Sequence, residues 1–262
     1  MKVLRWCLLM IATLLSSGIA FSASSVDLSY VGRFSIGCGH FELPSSLNRS
    51  IALNMYQFGG AVRYKNVYVA INLSDTLSGN RETDQDNFAV SGYSDASRYD
   101  RDIVIGFYPE FGSFKGQNWS FFLGYKTGRT DIDNVDISFS NLSDSTFYEH
   151  RGMFIGAHYS FQFETAGRIA LGLAYADLEF ENTINNNVDR LRFSDGSSTG
   201  FSYSVSWKIP ISGKLSFNSS IKVNDYELSP NSSGNATNDG ILNTLDHSDR
   251  YTILSLGVSR YF

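Results

Sequence analysis

The sequence predicts an all-β fold: a transmembrane, antiparallel, up-and-down β-barrel of ten strands, with eight or twelve as the alternatives. Three observations predict it. Apolar residues recur at every second position over long segments, the polar connections between those segments are alternately short and long, and the amino end reads as an export signal. Period-two alternation over a dozen residues marks strands longer than the roughly 5 to 6 residues usual in globular sheets. Many of the 20 Phe and 15 Tyr fall on one strand face. A soluble domain would bury that face, whereas a barrel in lipid turns it outward. After the amino end no apolar run approaches the roughly 18 residues of a membrane helix, which excludes a helical membrane protein.

The first five residues, Met1-Lys2-Val3-Leu4-Arg5, carry two positive charges and no acid. The apolar run from Trp6 to Leu15 is half the roughly 20 residues that a spanning helix needs. Small residues at Gly18 and Ala20 suit cleavage near residues 20–23. Residues 1–20 are therefore expected to be a signal peptide, and 21–262 one barrel domain.

In the first strand Leu28, Tyr30, Phe34 and Ile36 alternate with Ser29, Arg33 and Ser35, and in the second Tyr56, Phe58, Val62 and Tyr64 alternate with Gln57, Gly59, Ala61 and Arg63. The next three put outward Val67 to Leu73, then Ile103, Ile105 and Phe107, then Trp119, Phe121, Leu123 and Tyr125. From Tyr148 onward Met153, Ile155, Ala157, Tyr159, Phe161 and Phe163 share one face, with His150, Phe154, His158 and Ser160 on the other. Ile169, Leu171, Leu173 and Tyr175 follow, then Phe201 to Ile209, Leu215 to Val223, and finally Leu254, Leu256, Val258 and Phe262.

Residues paired across a hairpin share a face. The outward residues Tyr64 and Val67 flank Lys65-Asn66, Ile211 and Leu215 flank a three-residue loop, and Phe163 and Ile169 flank a five-residue turn. Long polar stretches lie between, at His40 to Ser50, Asp75 to Arg98, Gly128 to Thr146, Glu181 to Ser198 and Leu228 to Asp249. Short turns and long loops on opposite rims, with an even strand count, place both termini in the periplasm.

Without its first 20 residues the chain holds 19 bases against 26 acids, a formal charge of −7, so nucleic acid is excluded as a partner. Cys7 leaves with the signal. Cys38 is then the only cysteine, expected as a small buried hydrophobe.

The chain ends on Phe262, with Val258, Leu256 and Leu254 at alternate positions before it and Arg260 where an apolar residue is usual. This resembles the assembly signal of bacterial outer-membrane proteins. The resemblance implies an outer-membrane location, outer-membrane lipid and lipopolysaccharide around the barrel, and assembly machinery that reads the segment ending in Phe262. It spans the mature chain as architecture and names no function.

Several constellations could carry chemistry. Asp100 with Asp102, and Asp131 with Asp133, put paired carboxylates on one strand face, and Asp246-His247 supplies an acid beside a histidine. Such a set could activate water, but the aspartate-x-histidine spacing of omptin-type proteases is absent. His158 and Ser160 share a face, yet Phe161 follows where the lipid-hydrolysing barrels carry asparagine. Asp131, Asp133 and Asp136 offer hard oxygens for Ca²⁺ without the glycine and closing glutamate of an EF-hand. No enzyme, metal or cofactor is expected.

The charges expected inward are Arg33, Arg63, Asp100, Asp102, Lys126, His158, Arg168, Lys208 and Lys222. A basic lining would favour anions. Alternatively the bases pair with acids and fill a lumen only slightly wider than that of an eight-stranded barrel. Small inward residues, Gly152, Gly156, Gly172 and Ala174 among them, point to an open path. The first expectation is a porin-like channel for small polar or anionic solutes. The alternative is a non-enzymatic surface protein or adhesin acting through long extracellular loops, with an unknown ligand.

Overall fold

A computed structural model describes residues 28–42, 50–78, 92–109, 117–136, 143–164, 166–185, 190–230 and 248–262. Its strands are β1 (Leu28–Glu42), β2 (Ser50–Tyr64), β3 (Val67–Ser78), β4 (Gly92–Phe107) and β5 (Gln117–Asp136), then β6 (Ser143–Phe163), β7 (Gly167–Asn185), β8 (Arg190–Ser212), β9 (Leu215–Pro230) and β10 (Ser248–Tyr261). Each pairs antiparallel with its neighbour in sequence, and β1 pairs with β10 to close the barrel. Closure leaves no unpaired sheet edge. The expected signal peptide, and Asp246-His247, lie outside the described residues.

The apolar positions expected to face outward do so. Ile71, Ile105, Leu123, Ile155, Leu173, Tyr203 and Leu256 are all exposed. They form a belt that runs on β8 from Phe201 to Ile211, ten residue steps. Strands rising ~3.3 Å per residue at a tilt of roughly 40° make such a belt about 25 Å tall.

The strands do not stop where the belt stops. At the end joined by 43–49, 79–91, 137–142, 186–189 and 231–247, here the loop end, they continue into segments expected to be loops. In this collar the alternation inverts. Along Asp177-Leu178-Glu179-Phe180-Glu181 the acids point outward and Leu178 and Phe180 are buried inside. On β2 it is Ile51, Leu53 and Met55 that turn inward, while Ala52 and Asn54 are exposed. The outer face carries ion pairs between directly opposed residues: Arg129 with Glu149 at 2.9 Å, Arg151 with Glu179 at 3.1 Å and Arg250 with Asp225 at 3.0 Å.

The extension corrects the expected loop boundaries and the strict alternation of connection lengths. The four-residue connection 186–189 at the loop end is shorter than the nine-residue 108–116 at the opposite, turn end. Two turns are also tighter than expected. Phe163 pairs with Gly167, whose φ of +89° accommodates a three-residue connection, and Ser212 pairs with Leu215 across Gly213-Lys214 after a bulge at Ile211. The bulge follows Pro210, which has no N–H to give the ladder. Cys38, expected to be buried, is exposed, because it takes an outward position in the collar where its Sγ lies 3.7 Å from Asn54 Oδ1.

Candidate functional site within the barrel

The inverted alternation turns the collar lumen into a packed core. Phe41, Ile51, Leu53, Met55, Ala96, Tyr148, Phe180, Leu228, Tyr251 and Ile253 form one buried cluster drawn from seven strands. The rings of Phe41 and Tyr148 meet at 6.4 Å. β1 and β6 stand five places apart in the ring of ten, so these side chains touch across the full width of the barrel.

Embedded in this core is a charged cluster. The guanidinium of Arg98, 1% exposed, donates Nε to Asp100 Oδ2 at 2.9 Å, Nη2 to Asp100 Oδ1 at 3.2 Å and Nη1 to Thr130 Oγ1 at 3.1 Å. It is held between the rings of Tyr251 at 4.3 Å and Phe41 at 4.9 Å. His150 Nε2 stands 3.4 Å from Asp100 Oδ1. Lys126 Nζ donates to the Tyr226 hydroxyl at 3.1 Å, which also meets Ser202 at 2.9 Å. Asp249 is buried in the same layer. Arg98 is ion-paired with Asp100, Lys126 is held by the Tyr226 hydroxyl, and Asp249 Oδ1 has no hydrogen-bond partner among the described residues. Burying the guanidinium is tolerable because it is both paired and hydrogen-bonded.

Below this layer Phe122 stacks on His158 at 4.7 Å and meets Phe154 edge-on at 6.0 Å. The inward glycines receive these rings: a Cβ on Gly124 would strike Phe154, on Gly156 Phe122, and on Gly172 His158. These three inward glycines make room for the rings of neighbouring side chains.

No protein-family model and no curated protein matches the chain. Solved structures do. The outer membrane protease OmpT from Escherichia coli aligns with a TM-score of 0.53 at 10% identity, over 92% of this chain and 99% of that one. The translocator domain of the autotransporter NalP from Neisseria meningitidis aligns with a TM-score of 0.50 at 10% identity, over 100% of this chain and 98% of that one. The chain has the fold of the bacterial outer-membrane β-barrels. At such identity the likeness is one of fold.

Within this outer-membrane barrel fold the nine sequence-named residues all lie on the inward face, and the structure divides them. Asp100, 21% exposed, and the buried Lys126 belong to the charged cluster. Arg33 donates to Asn72 Oδ1 at 2.9 Å, and Asn72 Nδ2 donates to Asp102 Oδ1 at 2.6 Å. His158 is taken up by Phe122. Ser160 Oγ turns to the Asn118 carbonyl at 3.5 Å, while the His158 ring stacks on Phe122. Arg63, Arg168 and Lys208 gather near the turn end, and Lys222 lies half-buried on β9. Of the three acids weighed as hard oxygen ligands, Asp131 is engaged by Arg129 at 2.5 Å, and the side chains of Asp133 and Asp136 lie outside the described residues.

Sequence reasoning missed Arg98, Asp249, Tyr251 and Tyr226, and gave His150 no role. Arg98 and Asp249 sat at the ends of presumed loops. The available signal was the inverted alternation, legible in Asp177 to Glu181 and in Arg250-Tyr251-Thr252-Ile253.

Proposed function

We propose that the chain is a bacterial outer-membrane barrel whose lumen is sealed toward the loop end, and that it acts as a non-enzymatic surface protein through its collar and loops. The observation that carries this reading is the contact of Phe41 with Tyr148 across the barrel. The belt supports the placement in lipid, because so many exposed Leu, Ile, Val and aromatic side chains are stable only against an apolar solvent. In that membrane the loop end is extracellular, both termini are periplasmic, the leader 1–20 is cleaved, and the assembly machinery reads the segment ending in Phe262. Asp100 tied to Arg98, and His158 stacked on Phe122, support a role without catalysis.

A porin-like channel for small anions is the second reading, favoured by the bases Arg33, Arg63, Arg168, Lys208 and Lys222 along the lumen. Solute flux separates the two. Vesicles carrying the folded protein should admit sugars and small anions no faster than protein-free vesicles. Rapid swelling in isosmotic sugar or anion would replace the surface reading with the channel.

A further inference from the structure

In the turn-end half of the lumen bases outnumber acids, with Arg33, Arg63, Arg168 and Lys208 against Asp102. Arg168 on β7 stands directly opposite Lys208 on β8, both inward. Directly opposed residues in a sheet bring their Cβ atoms within about 4.5–5.5 Å, where like charges destabilise. In the collar, by contrast, Arg129 faces Glu149 and Arg151 faces Glu179. Lys208 Nζ donates to the Tyr261 hydroxyl, Arg168 Nε to Gln162 Oε1 at 3.3 Å, and Arg33 to Asn72 Oδ1 at 2.9 Å. Arg63 donates to the Lys65 carbonyl at 2.7 Å and lies 4.6 Å over the Tyr108 ring. Every one of these acceptors is neutral. Among the described residues none of the four bases is ion-paired with a carboxylate, and Asp102 reaches Arg33 only through Asn72. The contacts draw the bases together: Lys208, opposite Arg168, reaches Tyr261 on β10, whose partner across the β1–β10 ladder is Val31, two residues before Arg33 on the same inward face.

A like-charged cross-strand pair joined by two further bases, in a lumen shielded from lipid by the barrel wall, is stabilised by an anion that supplies the missing charge. Guanidinium groups bind phosphate-type oxygens bidentately, while a lysine adds a point charge. We propose that Arg33, Arg168 and Lys208, with Arg63 at the rim, form a binding site for a soluble, multiply charged oxyanion of the phosphate-ester or pyrophosphate class, entering from the turn end. Arg63 and Arg168 lie beside the hairpin turns and are exposed, so entry from that side needs no passage through the sealed collar. The site holds whether or not the lumen conducts.

The test is calorimetric titration of the folded protein in detergent with pyrophosphate, alongside thermal unfolding with and without it. The protein should bind pyrophosphate in a salt-sensitive manner and unfold at a higher temperature in its presence. Arg168→Gln with Lys208→Gln should weaken binding by at least about tenfold, the loss expected when charged hydrogen bonds are removed. Without the anion that variant should be at least as stable as the parent, because the repulsion is gone. Arg250→Gln in the collar should leave binding unchanged, and Arg33→Gln alone should weaken it. Absence of binding at millimolar pyrophosphate, an unchanged Kd in the folded double variant, or preference for phosphatidylglycerol micelles over pyrophosphate would each overturn the proposal.

Discussion

The rings of Phe41 and Tyr148 lie 6.4 Å apart although their strands, β1 and β6, face each other across the barrel. A ten-stranded wall leaves little more interior than side chains can fill, and here aromatic residues from opposite sides close the gap. Phe41 also meets Tyr251 at 6.4 Å, and Tyr148 meets Phe180 at 6.1 Å, so the contact belongs to a continuous layer.

This layer should behave as a protein core although it occupies a lumen. Phe41→Ala should cost about 3–5 kcal/mol, as for buried aromatic truncations. Glu42→Ala, one residue away on the exposed face, should stay within about 0.5 kcal/mol. Urea-driven unfolding and refolding in vesicles reports both, and equal small effects would mean that the layer is loosely packed.

How much of this was legible in the sequence depended on which side of a strand carried the apolar residues. In the belt, Leu171, Leu173 and Tyr175 announce themselves because lipid outside and small residues inside give strict alternation. The strand count and the ring closure followed from such segments. In the collar the outside is charged and the inside apolar, so Leu178 and Phe180 sit on the parity opposite to Leu171. A reading that takes apolar as outward breaks the strand there and consigns Arg98 and Asp249 to loops. The pairing of Arg98 with Asp100, two residues apart on one face, depends on rotamers that no spacing rule supplies.

The same inversion makes a prediction about one face of β7. Leu171→Arg should impair insertion by about 2–4 kcal/mol if it lies near the bilayer midplane. Asp177→Arg, six positions along the same face but in the collar, should insert normally. Equilibrium folding into vesicles distinguishes them, and equal impairment would show that the collar also lies within the lipid.

Arg98 and Asp100 should be coupled. Arg98→Met removes the buried guanidinium that Asp100 accepts from and should cost up to about 3–5 kcal/mol, the penalty for breaking a buried pair. Adding Asp100→Asn should recover part of that loss. A double-mutant cycle measures the coupling, and strictly additive effects would mean that the two side chains do not act as a pair.

Gly128 marks how tightly the cluster is built. A Cβ there would run into both Asp100 and His150, 2.6 Å from the His150 Nε2. Gly128→Ala should therefore destabilise the folded barrel by about 1–3 kcal/mol, as overpacking does. The temperature at which the folded form is lost on unboiled gels should fall accordingly, and an unchanged midpoint would show that the cluster can shift without cost.

Planar-bilayer recording on the folded wild-type protein bears most closely on the sealed lumen. Closure by Phe41, Tyr148 and the Arg98 layer predicts a flat baseline at moderate voltage, with no unitary current steps, in protein shown by heat-modifiable migration to be folded. Stable, reproducible unitary currents from that wild-type protein would contradict it.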